Sequence, residues 1–312
     1  MYGIDTFPAL PHFEGMRIVR SVTAMQRLAQ GWQRAGMRVG LVPTMGYLHA
    51  GHLSLVRRAR QLVGGRGKVV VSIYVNPTQF GPTEDFSRYP RDMARDADLC
   101  IQEGVDHLFA PEPEEMYPPG HRTFVDMEGL TAVLEGASRP GHFRGVLTVV
   151  LKLLHIVKPH FAFFGQKDAQ QALVVRRMVK DLNLDAEIVV APTVRHEDGL
   201  ALSSRNVYLG PAERAAATVL SRALAQARQM VEREDVRSTR AIEAAVHEVL
   251  ASEPRAKVDY VAVVDAESLE RREEITGETL IPLAVTIGAT RLIDNAIVRP
   301  PAPPRPPAGE KA

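Results

Sequence analysis

Between residues 16 and 190, short apolar runs alternate with longer segments in which apolar positions recur every three or four residues. This alternation predicts strand–helix repeats, and the long crossovers favour a doubly wound parallel sheet. The run 68–75, KVVVSIYV, is apolar almost throughout, so we expect it at the centre of the sheet, covered on both faces. The predicted strands are 16–20, 39–42, 68–75, 105–110, 161–164 and 186–190, and the predicted helices are 22–35, 51–63, 85–102, 146–157 and 169–181.

The pattern changes near Pro192. Pro211 is well placed to open a long helix, because proline favours the first helical position. Helices 211–232 and 239–251 and strands 258–264, 280–287 and 291–295 predict a smaller α+β domain. We expect an α/β domain at 1–192, the α+β domain at 193–298 and a disordered proline-rich tail at 299–312. Residues 111–120 predict a loop, and residues 123–127 predict an edge strand.

The turn after the second predicted strand carries the clearest candidate chemistry. The run passes through Pro43 and Gly46 and continues as a helix near Gly51, with His49 and His52 three residues apart at its start. The first N–H groups of a helix are unpaired and its dipole is positive there, so such a turn is typical of phosphate binding. Two imidazoles at this place can donate to phosphate oxygens as pyrophosphate departs. The stretch predicts a nucleotide-activating site.

Three further polar loops follow predicted strands. Asn76 and Gln79 lie at a strand's carboxyl end, where open α/β sheets bind ligands. Lys167 lies between a strand and a helix that Asp168 can cap, and a lysine there can neutralise phosphate. The loop 202–206 offers hydroxyls and a guanidinium for phosphate oxygens. The acidic stretch that contains Asp96, taken alone, predicts a solvated helix face.

Composition narrows the class of protein. The chain has 38 basic and 37 acidic side chains, so its charge favours neither nucleic acid nor an anionic membrane as a partner. Its single cysteine, Cys100, is predicted to be a buried small side chain and fits a reducing compartment. We expect a soluble cytoplasmic protein, because no apolar run is long enough to span a membrane and the N-terminus lacks a signal-peptide pattern.

Taken together, five segments strongly resemble the pantoate–β-alanine ligase family of the nucleotidylyltransferase superfamily. They are PTMGYLHAGH (43–52), VNPTQF (75–80), GHFRGV (141–146), GQKDAQQ (165–171) and LSSRN (202–206). The HxGH element alone marks only the superfamily, whereas five segments in this order are specific. The likeness runs from about residue 16 to residue 298.

The resemblance implies a Rossmann-like fold and an ATP-dependent ligation of pantoate to β-alanine through pantoyl-adenylate. By likeness, His52, His49 and Lys167 are the catalytic residues, and Mg²⁺ accompanies ATP with Asp96 near the ion. The resemblance also implies a homodimer with the small domain as a lid. The residues matched to ATP binding are Met45, Gly46, Tyr47, Leu48, His49, Ala50, Gly51, His52, Gly165, Gln166, Lys167, Asp168, Val194, Leu202, Ser203, Ser204 and Arg205, and those matched to pantoate and β-alanine are Gln79 and Gln171.

The chain departs from the family pattern at two positions. Gln166 stands where the family usually has Glu, and Thr78 stands where it usually has Met. Gln166 removes one negative charge beside Lys167, so we expect altered tuning of the site rather than lost activity. Thr78 is expected to change slightly the apolar wall near pantoate, and neither residue touches the histidine pair.

Other functions fit parts of the pattern. A different adenylyl- or cytidylyltransferase would explain the histidines and Lys167, but it leaves Gln79 and Gln171 without a role. A non-catalytic ATP-binding or scaffold protein predicts damage to the motifs, and they are intact. A tRNA synthetase is disfavoured, because the remaining residues hold no basic appendage or anticodon-reading domain.

Overall fold

A computed structural model of the chain describes residues 15–301. Contacts divide the chain into two compact units, where we had expected a boundary at residue 192. The first unit extends to Val194 and also holds Leu202–Ser204, while the second holds Arg195–Ala201 and continues from Arg205. Residues 202–204 therefore belong with the sheet that precedes them, although segments of the second unit flank them. The greater part of the predicted disordered tail, 302–312, lies outside the described residues.

The first unit is built on a six-stranded sheet in which every paired strand is parallel. Its strands are β1 (Arg17–Val19), β2 (Val39–Thr44), β3 (Lys68–Ile73), β4 (His107–Phe109), β5 (Phe161–Gly165) and β6 (Glu187–Ala191). The spatial order is β1-β4-β3-β2-β5-β6, so the apolar run in β3 lies inside the sheet, as predicted. The doubly wound fold is confirmed.

Helices cover both faces of this sheet. They are α1 (Val22–Arg34), α2 (Ala50–Val63), α3 (Met93–Gln102), α4 (Pro113–Met116), α5 (Glu135–Ser138), α6 (His142–Val157) and α7 (Ala169–Asp181). One core joins α1, α6 and α7 to a sheet face through Val70 of β3, and a second joins α2 and α3 to the opposite face through Val69 and Val71. Successive strand side chains point to opposite faces, so one apolar run serves both cores.

The strand order reverses between β2 and β5. The chain leaves β2 through α2 toward β3, and it leaves β5 through α7 toward β6, on the opposite face and in the opposite direction. In open α/β sheets such a point leaves a crevice at the carboxyl ends of the strands, where ligands bind. The HxGH turn follows β2 and the GQKD segment follows β5, so the fold directs both candidate motifs to this crevice.

Three predictions of strand and helix bounds in this unit are wrong. The helix predicted at 85–102 begins only at Met93, because Pro90 is unsuited to a helix interior and Asp92 caps the helix by accepting from Arg95 N. Residues 123–127 form no strand, and the N–H of Val125 donates instead to Thr148 Oγ1 at 2.9 Å.

The third wrong prediction concerns α6, which begins at His142, four residues earlier than expected. Gly141, at φ +82°, provides the left-handed turn that starts the helix. The predicted loop 111–120 also contains one helical turn, α4, which Pro113 opens. Cys100 is fully buried, as predicted, and burial raises the pKa of its thiol to about 12.

The second unit has its own core between three helices and an antiparallel sheet. Its elements are α8 (Pro211–Ala216), α9 (Val219–Glu232), α10 (Thr239–Ala251), β7 (Ala256–Val261), β8 (Val264–Asp265), β9 (Thr279–Ile287) and β10 (Thr290–Val298). The α+β class is confirmed. The single helix predicted over 211–232 is wrong: i to i−3 bonds from Thr218 N to Ala215 O and from Leu220 N to Ala217 O interrupt it. Among residues 15–301, no helix is long and apolar enough to cross a membrane.

Candidate active site

A carboxylate of α3 accepts hydrogen bonds from the backbone of the turn after β2. Gly46 and Tyr47 both have positive φ, +84° and +50°, which directs successive N–H groups to one side. Asp96 receives them, with Oδ2 accepting from Tyr47 N at 2.6 Å and Oδ1 from Leu48 N at 2.7 Å. Asp96 is 1% exposed, so the predicted solvated face is wrong at this position. Its charge is used to fix the shape of the turn.

The two histidines cap the helix that follows. His49 is the N-cap of α2, and its Nδ1 accepts from Gly51 N at 3.2 Å. His52 completes a capping box with His49, because its Nδ1 accepts from His49 N at 3.3 Å. The rings lie with centroids 4.0 Å apart. Since each Nδ1 accepts, the neutral ring carries its proton on Nε2, and each histidine presents one N–H donor there.

The glycine between the histidines is a steric requirement. A Cβ on Gly51 would lie 2.9 Å from both Cε1 and Nδ1 of His49, and 3.9 Å from Cβ of Leu202. A side chain at this position would therefore displace the ring of His49. The spacing HxGH combines two imidazoles three residues apart with the one residue that lets the first ring fold over the helix start.

Lys167 acts electrostatically on His52. Burial and the positive charge of Lys167 lower the pKa of His52 to about 4, so the ring is neutral near pH 7. Lys167 lies in the 3-10 turn Gln166–Asp168 after β5, with Nζ 3.7 Å from Oδ1 of Asp168. Asp168 occupies the N-cap position of α7 but makes no capping hydrogen bond, so the predicted cap is wrong and its carboxylate lies near Lys167 instead.

Gln79 lies in a closely packed pocket of amides beside the turn. It is 8% exposed, and its Oε1 accepts from Asn76 Nδ2 at 3.0 Å while its Nε2 lies 3.3 Å from Sδ of Met45. The backbone approaches closely here, because a Cβ on Gly145 would lie 2.3 Å from the carbonyl oxygen of Thr78. The structure thus brings Gln79 to Met45, the first residue of the predicted nucleotide turn.

Three supporting residues had no predicted role in the site. Arg139 donates to both carboxylate oxygens of Glu84, at 2.9 and 2.7 Å, and to His142 Nε2 at 3.0 Å. His142 in turn donates from Nδ1 to the carbonyl oxygen of Gln79 at 2.8 Å. The segment GHFRGV contains His142, but nothing local marks Arg139 or Glu84 as its partners. Together they anchor the Gln79 loop to α6.

The remaining predicted residues divide between the units. Ser204 Oγ donates to the carbonyl oxygen of Tyr47 at 3.2 Å, and Leu202 N donates to Val194 O at 3.0 Å, so this part of the LSSRN segment lies at the histidine turn. Arg205 belongs to the second unit. Gln171 is half-buried in the first turn of α7. The other members of the predicted set lie in the two turns already described: Ala50, Gly165 and Gln166, with Ser203 beside Ser204.

Asp96 does not fit the predicted place near a metal ion. Both of its oxygens accept backbone N–H groups, and the carboxylate lies beneath the turn. Within residues 15–301, no group of three or more His, Cys, Asp or Glu side chains could hold an ion. The protein side of this site offers N–H donors and a lysine, which are groups that suit phosphate oxygens.

Fold and site together define a nucleotide-binding α/β enzyme with paired imidazoles at a helix start. The family model described as pantoate-beta-alanine ligase matches residues 17–297. A pantothenate synthetase of Heliobacterium modesticaldum is 56% identical over 285 residues, which cover 91% of this chain and 99% of that protein. The chain belongs to the pantoate-beta-alanine ligase family.

Solved structures agree with this assignment. The crystal structure of pantothenate synthetase from Thermus thermophilus is 49% identical, with a TM-score of 0.84 over 91% of this chain and 100% of that one. Pantoate-beta-alanine ligase from Francisella tularensis, complexed with beta-gamma ATP and beta-alanine, is 34% identical with a TM-score of 0.72 over 90% and 97% of the two chains.

Proposed function

We propose that this chain ligates pantoate to β-alanine at the expense of ATP, through a pantoyl-adenylate, releasing AMP and pyrophosphate. The observation that carries the proposal is the histidine pair at the start of α2, with the charge of Lys167 acting on His52. Membership of the family and the ligands of the Francisella tularensis enzyme support it.

In the first step, a carboxylate oxygen of pantoate attacks the α-phosphorus of ATP. The new oxygen–phosphorus bond forms as the bond to the bridging oxygen breaks, and that oxygen leaves with pyrophosphate. His49 and His52 stabilise the growing charge through Nε2–H, with His52 held neutral, and Lys167 neutralises phosphate oxygens. A neutral imidazole with a low pKa stabilises this charge by hydrogen bonding and keeps its own proton.

In the second step, the amine of β-alanine attacks the acyl carbon of the adenylate. The carbon–nitrogen bond forms as the bond between the acyl carbon and the anhydride oxygen breaks. AMP leaves with the electron pair of that bond, and the amine loses a proton. Both reacting groups belong to substrates, so the protein's task is to place them and exclude water. Gln79, held by Asn76 and His142, and Gln171 on α7 are the proposed substrate-binding amides.

Three finer statements belong to the same proposal. Mg²⁺ enters with ATP, held by phosphate oxygens, and supplies charge neutralisation there. The chain forms a homodimer and works in the cytoplasm, as the resemblance to the family implies. Static light scattering measures the first of these two properties, and a change in activity on chelation tests the metal.

The direct test is incubation with ATP, Mg²⁺, pantoate and β-alanine, omitting each in turn. We expect AMP and pantothenate only in the complete mixture, and exchange of pyrophosphate into ATP with pantoate alone. Release of AMP that does not depend on β-alanine would favour a different nucleotidylyltransferase. ATP binding without turnover in any mixture would favour a non-catalytic protein.

Substitution of His52 separates its chemistry from its capping role. We expect His52→Ala and His52→Gln each to lower kcat by about 100-fold or more, because alanine has no donor and the amide N–H of glutamine does not take the place of the imidazole Nε2–H. Glutamine at this position retains an acceptor for the N-cap N–H, so His52→Gln keeps the thermal stability of the wild type. Near-normal kcat in His52→Gln would contradict the proposed role.

Lys167→Ala is expected to cost a similar factor of about 100 in rate, because it removes the charge that faces phosphate. The matched control is Lys180→Ala, which removes an exposed lysine from the last turn of the following helix, α7. Equal kinetics for the two variants would remove Lys167 from the proposed site.

A further inference from the structure

A chain of hydrogen bonds leads from Tyr117 to the amide of Gln79. The Tyr117 hydroxyl lies 3.3 Å from Thr78 Oγ1, and Thr78 Oγ1 lies 3.0 Å from Asn76 Oδ1. On its other side, Asn76 Nδ2 lies 3.0 Å from Gln79 Oε1. Tyr117 follows α4, whereas the other three residues form the turn after β3, so the fold joins two distant segments here.

Groups of known polarity at both ends of the Asn76 amide identify which of its atoms is nitrogen and which is oxygen. Its Nδ2 lies 3.1 Å from the carbonyl oxygen of Gly145, which can only accept, and its Oδ1 lies 3.4 Å from Thr78 N, which can only donate. Asn76 is 1% exposed, so if its amide nitrogen and oxygen were exchanged, no water would be available to bond with the mismatched groups. The second proton of Nδ2 therefore points to Gln79, whose Oε1 must be the acceptor.

Counting protons gives the direction of the remaining contacts. Thr78 has a single hydroxyl proton, and the oxygen of Asn76 requires it. Tyr117 is therefore the donor in its contact with Thr78. Burial raises the pKa of Tyr117, which keeps that proton in place. The sequence of donors runs from Tyr117 to Thr78 to Asn76, and Asn76 then donates to Gln79 through its other amide atom.

We propose that Thr78 and Tyr117 are positioning residues that act through Asn76 to hold the Gln79 amide with Nε2 toward Met45 and the substrate. The inference rests on the proposed function for its substrate, an acid with hydroxyl groups. A fixed Nε2 offers two N–H donors to a carboxylate or hydroxyl oxygen. A rotated amide would present a carbonyl oxygen to the same acid, and the two acceptors would repel.

The hydroxyl at position 78 completes this series of hydrogen bonds. Methionine, which the resemblance implies at this position, has no hydroxyl to donate to Asn76. Thr78→Val keeps the size and the backbone N–H of threonine and removes only the hydroxyl. Thr78→Ser keeps the hydroxyl and removes the methyl group.

The kinetic test compares these variants under the same assay. We expect Thr78→Val to raise KM for pantoate about tenfold, the effect of one mismatched buried hydrogen bond, with KM for ATP unchanged. Thr78→Ser should restore the wild-type KM, and Tyr117→Phe should give a smaller rise. The double variant Thr78→Val/Tyr117→Phe should have the same KM for pantoate as Thr78→Val alone, because both changes interrupt the same series of hydrogen bonds.

Thr148→Val is the matched control. Thr148 is also buried, accepts from Val125 N at 2.9 Å and donates to Arg144 O at 2.7 Å, and has no hydrogen bond to the amides. We expect it to lose stability without a change in KM for pantoate. An equal rise in KM for Thr148→Val would show that any buried hydroxyl has this effect, which would overturn the proposal.

A second readout does not need turnover. In protein labelled with ¹⁵N-glutamine, the side-chain NH₂ signals of Gln79 are identified by their loss in Gln79→Ala. We expect these signals to shift in Thr78→Val and to return in Thr78→Ser. If the wild type fails to ligate pantoate, the function is wrong and these spectra alone decide the positioning role. Unchanged signals in a folded Thr78→Val protein would overturn it.

Discussion

At the scale of single residues, the site depends on which ring nitrogen each histidine uses for the backbone. His49 and His52 both use Nδ1 to accept N–H groups at the start of α2, which leaves both Nε2–H groups to act as donors. Because burial and Lys167 keep His52 neutral, its contribution is a directed hydrogen bond. The capping contacts therefore set the geometry and the tautomer of the histidine pair, and burial and Lys167 keep His52 neutral.

Gly51 is the residue on which this geometry depends most directly. Since a Cβ there would lie 2.9 Å from the ring of His49, Gly51→Ala should displace the ring and lower kcat/KM by about 100-fold, as a shift of about 1 Å can do. Steady-state kinetics and thermal unfolding of the variant test this expectation.

Gly31→Ala provides the control for Gly51→Ala. Gly31 is exposed on α1, and a Cβ there meets nothing within 4 Å. Alanine should stabilise this helix by about 1 kcal/mol and leave the kinetics unchanged. If Gly51→Ala behaved like Gly31→Ala, the steric account of the HxGH spacing would be wrong.

At the scale of elements, the turn between β2 and α2 is shaped jointly by these two elements and by α3. The turn has two consecutive residues with positive φ, and its N–H groups would lack partners without the carboxylate that α3 supplies. Burial raises the pKa of Asp96, and the two N–H groups oppose that effect. Asp96 is best described as part of the turn's support.

Asp96→Asn tests this support. An asparagine has only one acceptor oxygen, so one N–H of the turn loses its partner and meets an amide donor. We expect a loss of about 1–3 kcal/mol in the free energy of unfolding and a higher KM for ATP. Thermal unfolding without nucleotide measures the first effect, and ATP titration measures the second.

The control for this experiment is Asp98→Asn, which changes an exposed carboxylate on the same helix. Its effect on stability should be within about 0.5 kcal/mol. Wild-type stability of Asp96→Asn without nucleotide, combined with an altered dependence on Mg²⁺, would instead support the predicted place beside the metal ion.

At the scale of the whole molecule, the described residues form separate cores, and two buried histidines and the half-buried His52 have lowered pKa values in the first unit. Burial is the main cause for His52, His107 and His142, and it lowers each pKa to about 4. In the unfolded chain the ordinary value is about 6.5, so the unfolded state binds protons first as the pH falls. The stability that these neutral rings contribute is complete above about pH 6.5 and declines toward about pH 4.

We therefore expect the free energy of unfolding of the first unit to fall between about pH 6.5 and 4.5, by at most roughly 3 kcal/mol per buried histidine. The chain's single tryptophan, Trp32, is buried in this unit and lies 4.8 Å from the ring of His107, so its fluorescence in urea titrations reports the change. His107→Phe should flatten the profile, and His155→Gln, an exposed ring on α6, should leave it unchanged. A flat wild-type profile would contradict this account.

Much of the architecture was predictable from local pattern. The apolar runs identified the six strands of the first sheet, and their continuity placed β3 inside it. The predicted ends of α1, α2 and α10 agree with the structure to within one residue. The prediction failed where an end depends on a single residue, as at Asp92 and Gly141, or where a helix is interrupted without proline or glycine, as at Thr218.

By itself the sequence determined the order of strands and helices, the two structural classes and the positions of the histidine, glutamine and lysine motifs, because these features depend on neighbours a few residues apart. Only the tertiary structure decided that Asp96 supports the nucleotide turn, that Glu84 pairs with Arg139 and that Ser204 reaches Tyr47. Each of these contacts joins residues about 50 or more positions apart. The sequence around a carboxylate does not show whether it will be solvated or will accept a buried N–H group, because that depends on which distant segments the fold brings next to it.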